Sequence, residues 1–161
     1  MSDITDIIIE VPLNTNTKYE IDKKTKLLRA DRILHTSMMY PGNYGYIPNT
    51  LANDGDPLDI LMINDTPLLP MSLVKAKIIG VLILQDEAGI DDKIIAVPHK
   101  KVDATYENIN DINDIPTHQL NKIQHFFKHY KDLEPNKWVK ITGFENKKQA
   151  IKIYQQSKIT Q

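Results

Sequence analysis

The chain has 161 residues, no Cys and an almost even charge balance, with 20 Lys and Arg against 21 Asp and Glu. Its length suits one hydrophobic core, and no Gly/Ser-rich or low-complexity linker divides it, so we expect a single domain over residues 1–161. The balanced charge argues against nucleic acid or an anionic membrane as a partner, because both need a basic excess on one face. Without Cys there are no disulfides.

β-Branched and apolar runs bounded by turn residues predict the strands. We expect them at residues 4–11, 18–22, 27–29, 58–63, 73–84, 94–97 and 138–144. The polar residues between the second and third of these runs predict a hairpin turn.

Two helices are expected in the last third of the chain. Residues 116–131 are predicted to form the first, and Asn146 is the candidate N-cap of a second that runs through Tyr154. Because the strands come first and the helices late, the predicted fold class is α+β.

The first of two acidic segments places three carboxylates, Asp54, Asp56 and Asp59, within six residues. Like charges this close raise the cost of ionising one another, whereas a bound Mg²⁺ reverses that effect because it takes carboxylate oxygens as ligands. Gly55 and Pro57 indicate a bulge or turn that could bring the three together. The spacing does not fit an EF-hand, and a solvated turn would have the same composition, so a metal site and a turn both remain open.

The second acidic segment is residues 85–93, with four carboxylates and one Lys between two apolar strand candidates. This layout is typical of a hairpin connection. Two acidic segments that each adjoin an apolar strand could meet at one end of a small sheet or barrel. That coincidence favours a metal site over two solvated loops.

A few cations stand out in this chain. Only two of the 20 basic residues are Arg, at positions 29 and 32, and Arg32 precedes the aromatic run at residues 40–46. The planar, permanently charged guanidinium suits phosphate oxygens in a way that Lys does not. A surface ion pair is the alternative interpretation of this lone Arg.

Together these segments resemble the family I soluble inorganic pyrophosphatases of bacterial type. Residues 54–60 resemble the family signature Asp-x-Asp-Pro-x-Asp, and further matching segments follow the family order from about residue 8 to residue 145. Those segments are Ile9-Glu10-Val11-Pro12, Lys18-Tyr19-Glu20-Ile21-Asp22, Asp31-Arg32, Tyr40-Pro41-Gly42-Asn43-Tyr44-Gly45-Tyr46, Asp86-Glu87-Ala88-Gly89, Val97-Pro98-His99 and His129-Tyr130-Lys131.

The resemblance implies a small, closed OB-like β-barrel with two helices packed outside. It implies Mg²⁺-dependent hydrolysis of inorganic diphosphate to two phosphates, with several ions per subunit, Mn²⁺ or Zn²⁺ as possible substitutes, and a homohexamer as the assembly. Asp56 is implied to be the general base on a water held between two metal ions. The implied metal ligands are Glu20, Asp54, Asp59, Asp86 and Asp91, the implied substrate-binding residues are Lys18, Arg32, Tyr44, Lys93, Tyr130 and Lys131, and the implied pocket residues are Glu10, Tyr40 and Glu87.

Other classes of protein would use these residues differently. A non-enzymatic metal-binding barrel would keep the aspartates but would not need the cations around them. A nucleic-acid-binding barrel would need a basic, aromatic-rich face, and aromatics are only 7% of this chain. A phosphatase of broader range is the nearest enzymatic alternative, and the sequence does not separate it from a pyrophosphatase.

The first predicted helix carries a stripe of three histidines, His118, His125 and His129, spaced seven and four residues apart. A zinc site would need a His-Glu-x-x-His pattern or Cys, which the chain lacks, and a solvated stripe is the default. We hypothesise that His125, His129 and Asp132 lie at a subunit contact that responds to acid. The opposite face is predicted to pack on the core through Leu120, Ile123, Phe127 and Tyr130.

The expected compartment is the cytoplasm. Residues 1–6 lack the basic region and apolar core of a signal peptide, and no apolar run approaches the length of a membrane span.

Overall fold

A computed structural model describes residues 2–159. Within this range there are nine β-strands and two α-helices, and neither helix is long and apolar enough to cross a membrane. Two short 3₁₀ helices, Ala104–Tyr106 and Ile112–Asp114, precede the first α-helix. The strands are β1 (Ile4–Val11), β2 (Thr17–Ile21), β3 (Leu28–Ile33), β4 (Asn43–Tyr46), β5 (Asp59–Met62), β6 (Leu73–Asp86), β7 (Gly89–Ile90), β8 (Lys93–Pro98) and β9 (Val139–Asn146), and the helices are α1 (Thr117–His129) and α2 (Lys147–Ser157).

The strands form one large mixed sheet and one separate hairpin. In the large sheet β1 pairs with β4 and also with β6, and the order continues from β4 through β5, β8 and β6 to β7. The long strand β6 also pairs with β9, while β2 and β3 form a hairpin of their own. The pair β5–β8 is parallel and the other pairs are antiparallel.

The central strands are buried on both faces of the sheet. Alternate side chains of a strand point to opposite faces, so neighbouring residues enter different core clusters. In β5, Leu61 belongs to a core cluster that includes Phe126 and Phe127 of α1. Its neighbour Ile60 belongs to a second cluster that includes Ala150 and Tyr154 of α2. The two helices therefore pack against different sets of side chains from the same strands.

The sequence predictions of two helices and of the α+β class are confirmed. Helix α1 lies within the predicted residues 116–131, and Asn146 caps α2, since its Oδ1 accepts a hydrogen bond from the Gln149 N–H at 3.0 Å. Two helices on a mixed sheet agree with the α+β prediction.

The strand predictions are less complete. The third strand extends past the predicted residues 27–29 to Leu28–Ile33, and it therefore includes Arg32. Strand β4 falls in the aromatic run, for which no strand was predicted. Its Gly45 lies so close to β1 that a Cβ atom there would collide with the Ile8 carbonyl. The glycine needed for this approach also weakens the local strand pattern.

Candidate active site

The two acidic segments meet where parallel strands begin. Ile60 of β5 is in register with Ile94 of β8. The residues just before them, Asp59 and Lys93, therefore lie side by side at the N-terminal ends of these two strands. Lys93 Nζ is 2.7 Å from Asp59 Oδ2 and 2.9 Å from Asp91 Oδ2. One carboxylate from each segment thus contacts a single ammonium group, which agrees with the expectation that the segments converge.

This ammonium group is deeply buried. Lys93 is 2% exposed and donates a hydrogen bond of 2.7 Å to the Tyr44 hydroxyl, which in turn donates to Asp59 Oδ2 at 2.8 Å. Burial lowers the pKa of Lys93, but Asp59 and Asp91 outweigh it, and the net pKa lies well above the ordinary value. Burial and Asp59 raise the pKa of Tyr44, so its hydroxyl stays protonated as a donor. Lys93 is therefore a fixed positive charge among hydrogen-bonded oxygens.

Two carboxyl groups, one in this cluster and one beside it, are difficult to ionise. Burial raises the pKa of Asp91 to about 6, with repulsion from Asp59 added and Lys93 opposing it. Burial also raises the pKa of Glu10 to about 7, although the Ile21 N–H donates to Glu10 Oε2 at 2.8 Å and favours the carboxylate. One ammonium group therefore does not fully compensate the carboxylates, and an added cation would lower both pKa values.

A second ion pair joins the end of β6 to the loop after α1. Lys131 Nζ is 3.0 Å from Asp86 Oδ2 and 3.8 Å from Glu87 Oε2. Burial opposes ionisation of Asp86, but the hydrogen bonds from Lys131 and from the Ala88 N–H outweigh it and lower the pKa. Asp86 is thus a carboxylate at neutral pH, held by a Lys that is itself mostly buried.

The β2–β3 hairpin contributes two more cations on facing strands. Lys18 and Arg32 are partners in the strand register. Arg32 NH1 is 2.7 Å from Asp31 Oδ2, and Lys18 Nζ is 3.8 Å from the same oxygen and 4.0 Å from Glu20 Oε2. The hairpin therefore brings two positive charges together, balanced by two partly exposed carboxylates.

Aromatic side chains from β4, from α1, from the loop before β4 and from the loop after α1 form a packed group. The Tyr40 ring centroid lies 5.4 Å from that of Tyr44, 4.7 Å from that of Phe126 and 6.4 Å from that of Tyr130. Burial raises the pKa of Tyr40 and of Tyr130, so both hydroxyls are neutral donors at pH 7. The group excludes water from one side of the cluster and strengthens its electrostatics.

The remaining acidic residues lie in an exposed turn. The Asp56 N–H donates to Asp54 Oδ1 at 3.0 Å, and Gly55 between them has a φ of 85° that only Gly adopts easily. The Asp56 side chain is 62% exposed and pairs with Lys23 Nζ at 2.9 Å.

Asp54, Asp56 and Asp59, which the sequence suggested could come together, have different contacts in the structure. The first two share the turn, whereas Asp59 contacts Lys93 and Tyr44. Among residues 2–159 no group of three or more His, Asp and Glu side chains is arranged to hold a metal ion. Metal ligation by Glu20, Asp54, Asp59, Asp86 and Asp91 thus stays a prediction.

The histidine stripe lies on α1. The rings of His125 and His129 are 4.7 Å apart, and His129 Nδ1 is 2.6 Å from Asp132 Oδ2. The opposite face of the helix is buried as predicted, with Ile123 and Phe127 in the core. The proposed subunit contact stays a prediction.

Two residues with contacts in this region were not singled out from the sequence. Glu134 is a buried carboxylate whose Oε1 lies 3.1 Å from Arg32 Nε, and Lys23 contacts Asp56 from the tip of the hairpin. No local pattern marks Glu134, because its partner is about a hundred residues away along the chain. Lys23 was interpreted as a turn residue, which it is.

Comparison with known proteins assigns this arrangement to a family. The sequence model of the family described as "Inorganic pyrophosphatase" matches residues 7–160. The inorganic pyrophosphatase of Helicobacter pylori is 50% identical over 151 residues, which are 94% of this chain and 87% of that protein. The one from Saccharolobus solfataricus is 51% identical over 142 residues, 88% of this chain and 83% of that protein.

The fold agrees with the sequence comparison. The solved structure of the Helicobacter pylori inorganic pyrophosphatase superposes with a TM-score of 0.94 at 49% identity, over 96% of this chain and 91% of that one. Similarity at this level, over nearly the whole of both chains, shows common family membership. The chain belongs to the bacterial-type inorganic pyrophosphatase family and is a hydrolase.

Proposed function

We propose that this enzyme hydrolyses inorganic diphosphate to two phosphates with Mg²⁺ as cofactor. The observation that carries the proposal is the interleaving of charges in a member of this family: Lys93 lies between Asp59 and Asp91, and Lys131 lies beside Asp86. Carboxylates alone would repel diphosphate, and cations alone would not hold a metal ion. Hydrolysis of a phosphoanhydride needs both, because it depends on positioning and charge neutralisation.

The donor set fits a hard divalent cation. The implied ligands are all carboxylates, which Mg²⁺ and Mn²⁺ prefer, and Zn²⁺ could also substitute. The raised pKa values of Asp91 and Glu10 indicate a local excess of negative charge that a cation would relieve. When bound, the ions would lower the pKa of a nearby water and neutralise charge on the phosphates. The residues proposed to hold them are Glu20, Asp54, Asp59, Asp86 and Asp91.

Asp56 is proposed as the general base. It is exposed, so it can reach a water in the site, and its present partner Lys23 is an exposed side chain that can move away. An ordinary carboxylate is sufficient when the attacking water is already acidified. Asp56 would accept the proton while the water oxygen attacks one phosphorus and the bond to the bridging oxygen breaks.

The cations and hydroxyls are proposed to bind the two phosphate groups. Arg32 and Lys131 would neutralise the charge that develops on the leaving phosphate, and the neutral Tyr130 hydroxyl would donate a hydrogen bond to it. Lys18, Tyr44 and Lys93 would hold the other phosphate. Glu10, Tyr40 and Glu87 would line or support the pocket.

The scaffold proposed for this site is one domain with a small, closed OB-like barrel. Support comes from the pairing of β1 with both β4 and β6, since the ladder that runs β1-β4-β5-β8-β6 then returns to β1. Closure leaves no free strand edge in that ring.

We further propose a cytoplasmic homohexamer in which His125, His129 and Asp132 lie at a subunit contact. The 2.6 Å pair of His129 and Asp132 would change as the histidine gains or loses its proton. Sedimentation is expected to give different species at pH 5 and pH 8. The same species at both values would contradict the contact.

Phosphate release from diphosphate, with and without Mg²⁺, tests the proposed activity. The wild type should release phosphate rapidly only with Mg²⁺, and Asp56→Asn should lose about 10²- to 10⁴-fold in rate. Asp6→Asn is the matched control and should retain full activity, because exposed Asp6 on β1 lies opposite Lys75 in the strand register, at the other end of β6 from Asp86. No release in Mg²⁺ or Mn²⁺ from a folded chain would overturn the proposal. Equal rates on phosphate monoesters would instead identify a broader phosphatase.

A further inference from the structure

Glu134 is a buried carboxylate in the loop after α1. Its side chain is 7% exposed, and its backbone N–H donates to the Lys131 carbonyl at 2.9 Å. A buried carboxylate without a partner is strongly disfavoured, so its partner indicates why it is there. That partner is the guanidinium of Arg32 on β3.

Two carboxylates contact different nitrogens of this guanidinium. Glu134 Oε1 lies 3.1 Å from Nε, and Asp31 Oδ2 lies 2.7 Å from NH1. An Arg side chain carries five N–H donors in one plane, so donors remain for a ligand when two carboxylates fix that plane. The Arg32 side chain is 23% exposed, which leaves part of it accessible to a ligand from solvent.

The contact between Glu134 and Arg32 is incomplete. Although the distance is that of an ion pair, the N–H does not point closely enough at the oxygen. Neither Arg32 Nε nor Glu134 Oε2, both buried, has a hydrogen-bond partner among residues 2–159. Buried polar atoms in this state cost stability. A contribution to folding therefore does not explain the pair, whereas a role in orienting Arg32 does.

Glu134 also connects two phosphate-binding elements that are distant in sequence. Arg32 lies on the β2–β3 hairpin, and Glu134 follows Tyr130 and Lys131 by a few residues. Burial lowers the pKa of Arg32, but the nearby charge of Glu134, together with Asp31 and Tyr130, outweighs it and raises the pKa. We propose that Glu134 is a positioning residue that holds the Arg32 guanidinium in register with Tyr130 and Lys131 for phosphate binding. Its effect on turnover rests on the proposed pyrophosphatase function.

Steady-state kinetics on diphosphate test this coupling. Glu134→Ala should lower kcat/KM at least tenfold, mainly through KM, and Glu134→Gln should lower it less because the amide oxygen keeps the contact. In an Arg32→Lys background, Glu134→Ala should change kcat/KM less than twofold, because the group it positions is gone. Exposed Glu107→Ala is the matched control and should match the wild type. Equal losses in both backgrounds, or no loss in the wild type, would overturn the proposal.

The guanidinium can also be observed directly, because the chain has only two Arg residues. A ¹H–¹⁵N spectrum should show two Nε–H signals, and Arg29→Lys assigns them. Arg32 should exchange with solvent at least tenfold more slowly than Arg29, whose side chain is 58% exposed. Glu134→Gln should keep part of this protection, and Glu134→Ala should remove it.

Inorganic phosphate serves as the ligand probe. It should shift the Arg32 signal in the wild type at concentrations that leave Glu134→Ala unaffected. If the wild type releases no phosphate but the Arg32 signal behaves as described, the proposed activity fails and the positioning role stands. If the wild type is active and the Arg32 signal does not depend on Glu134, the positioning role fails and the activity stands.

Discussion

The cluster around Lys93 and the turn that carries Asp54 and Asp56 both pair aspartates with a lysine, but in opposite environments. In the cluster, Asp59 and Asp91 contact a Lys that is 2% exposed, at the starts of two parallel strands. In the turn, Asp56 is 62% exposed and its Lys partner is more exposed still. Buried charges interact strongly and are costly to separate, whereas exposed charges are screened. The charges of the cluster should therefore contribute to stability as well as to the candidate site, whereas the charges of the turn should contribute little to stability.

The largest expected effect comes from removing the buried cation. Lys93→Met would leave Asp59 and Asp91 without a partner, so the unfolding free energy should fall by about 3–5 kcal/mol in EDTA. Urea denaturation followed by circular dichroism measures it. Mg²⁺ should restore more stability to the variant than it adds to the wild type, because a bound cation replaces the missing charge. A loss of less than about 1 kcal/mol would contradict the prediction that Lys93 compensates the buried charges of Asp59 and Asp91.

The next effect is a pH dependence from Glu10, whose pKa in the folded chain is about 7 against 4.5 for an unperturbed Glu. The folded state then binds more protons than the unfolded state between these values, so stability is fully present below pH 4.5 and is lost as the pH rises through 7. In EDTA this should remove on the order of 2 kcal/mol.

Glu10→Gln should abolish that loss, because the amide has no charge to bury and its oxygen can still accept from Ile21. The difference in unfolding free energy between variant and wild type is measured from pH 4 to pH 8. It should grow with pH and shrink again when Mg²⁺ is present. A difference that does not change with pH would contradict the buried-charge explanation.

A smaller effect is expected from the backbone of the turn. Gly55→Ala places a side chain at a φ of 85°, where a Cβ meets no neighbouring atom, so only the backbone strain of about 1–2 kcal/mol remains. Because the change displaces Asp54 and Asp56, phosphate release should fall more than stability does. Gly143→Ala is the matched control in β9, with a φ of 140° and an equally open surrounding, and it should cost stability without affecting the rate. Equal rates of phosphate release for the two variants would mean that the turn does not contribute to catalysis.

The smallest effect on stability should come from Lys23→Met. The Lys23–Asp56 pair is exposed, so its removal should leave the urea midpoint unchanged within error. This outcome beside that of Lys93→Met tests the comparison directly, since both variants remove a Lys that contacts an Asp. A clear shift of the midpoint would mean that the turn also supports the fold.

Patterns that repeat along the chain predicted much of the fold. The periodicity of residues 116–131 placed α1, and a single polar side chain, Asn146, marked the start of α2. Strand β4 was missed because Gly45 and the tyrosines around it do not alternate between apolar and polar. The reason for that glycine is the close approach of β1, which is a contact between distant segments.

The candidate site shows the same division. The two acidic segments were found from their composition, and their meeting at Lys93 agrees with the expectation that they lie at one end of the sheet. That Lys93 is the buried group between them could not be inferred, because the parallel register of β5 and β8 has no local signal. Glu134 was also missed, because its partner Arg32 is far away along the chain.

The sequence by itself determined which chemistry is available: closely spaced carboxylates, a few cations, phenolic hydroxyls and the turn residues that arrange them. These are local properties, since side-chain type and spacing of a few residues decide them. The tertiary structure decided which charges are buried together and which remain in solvent. Strand register and burial depend on pairing between segments far apart in the chain, and they set the pKa of Glu10, the protonation of Lys93 and the partner of Arg32.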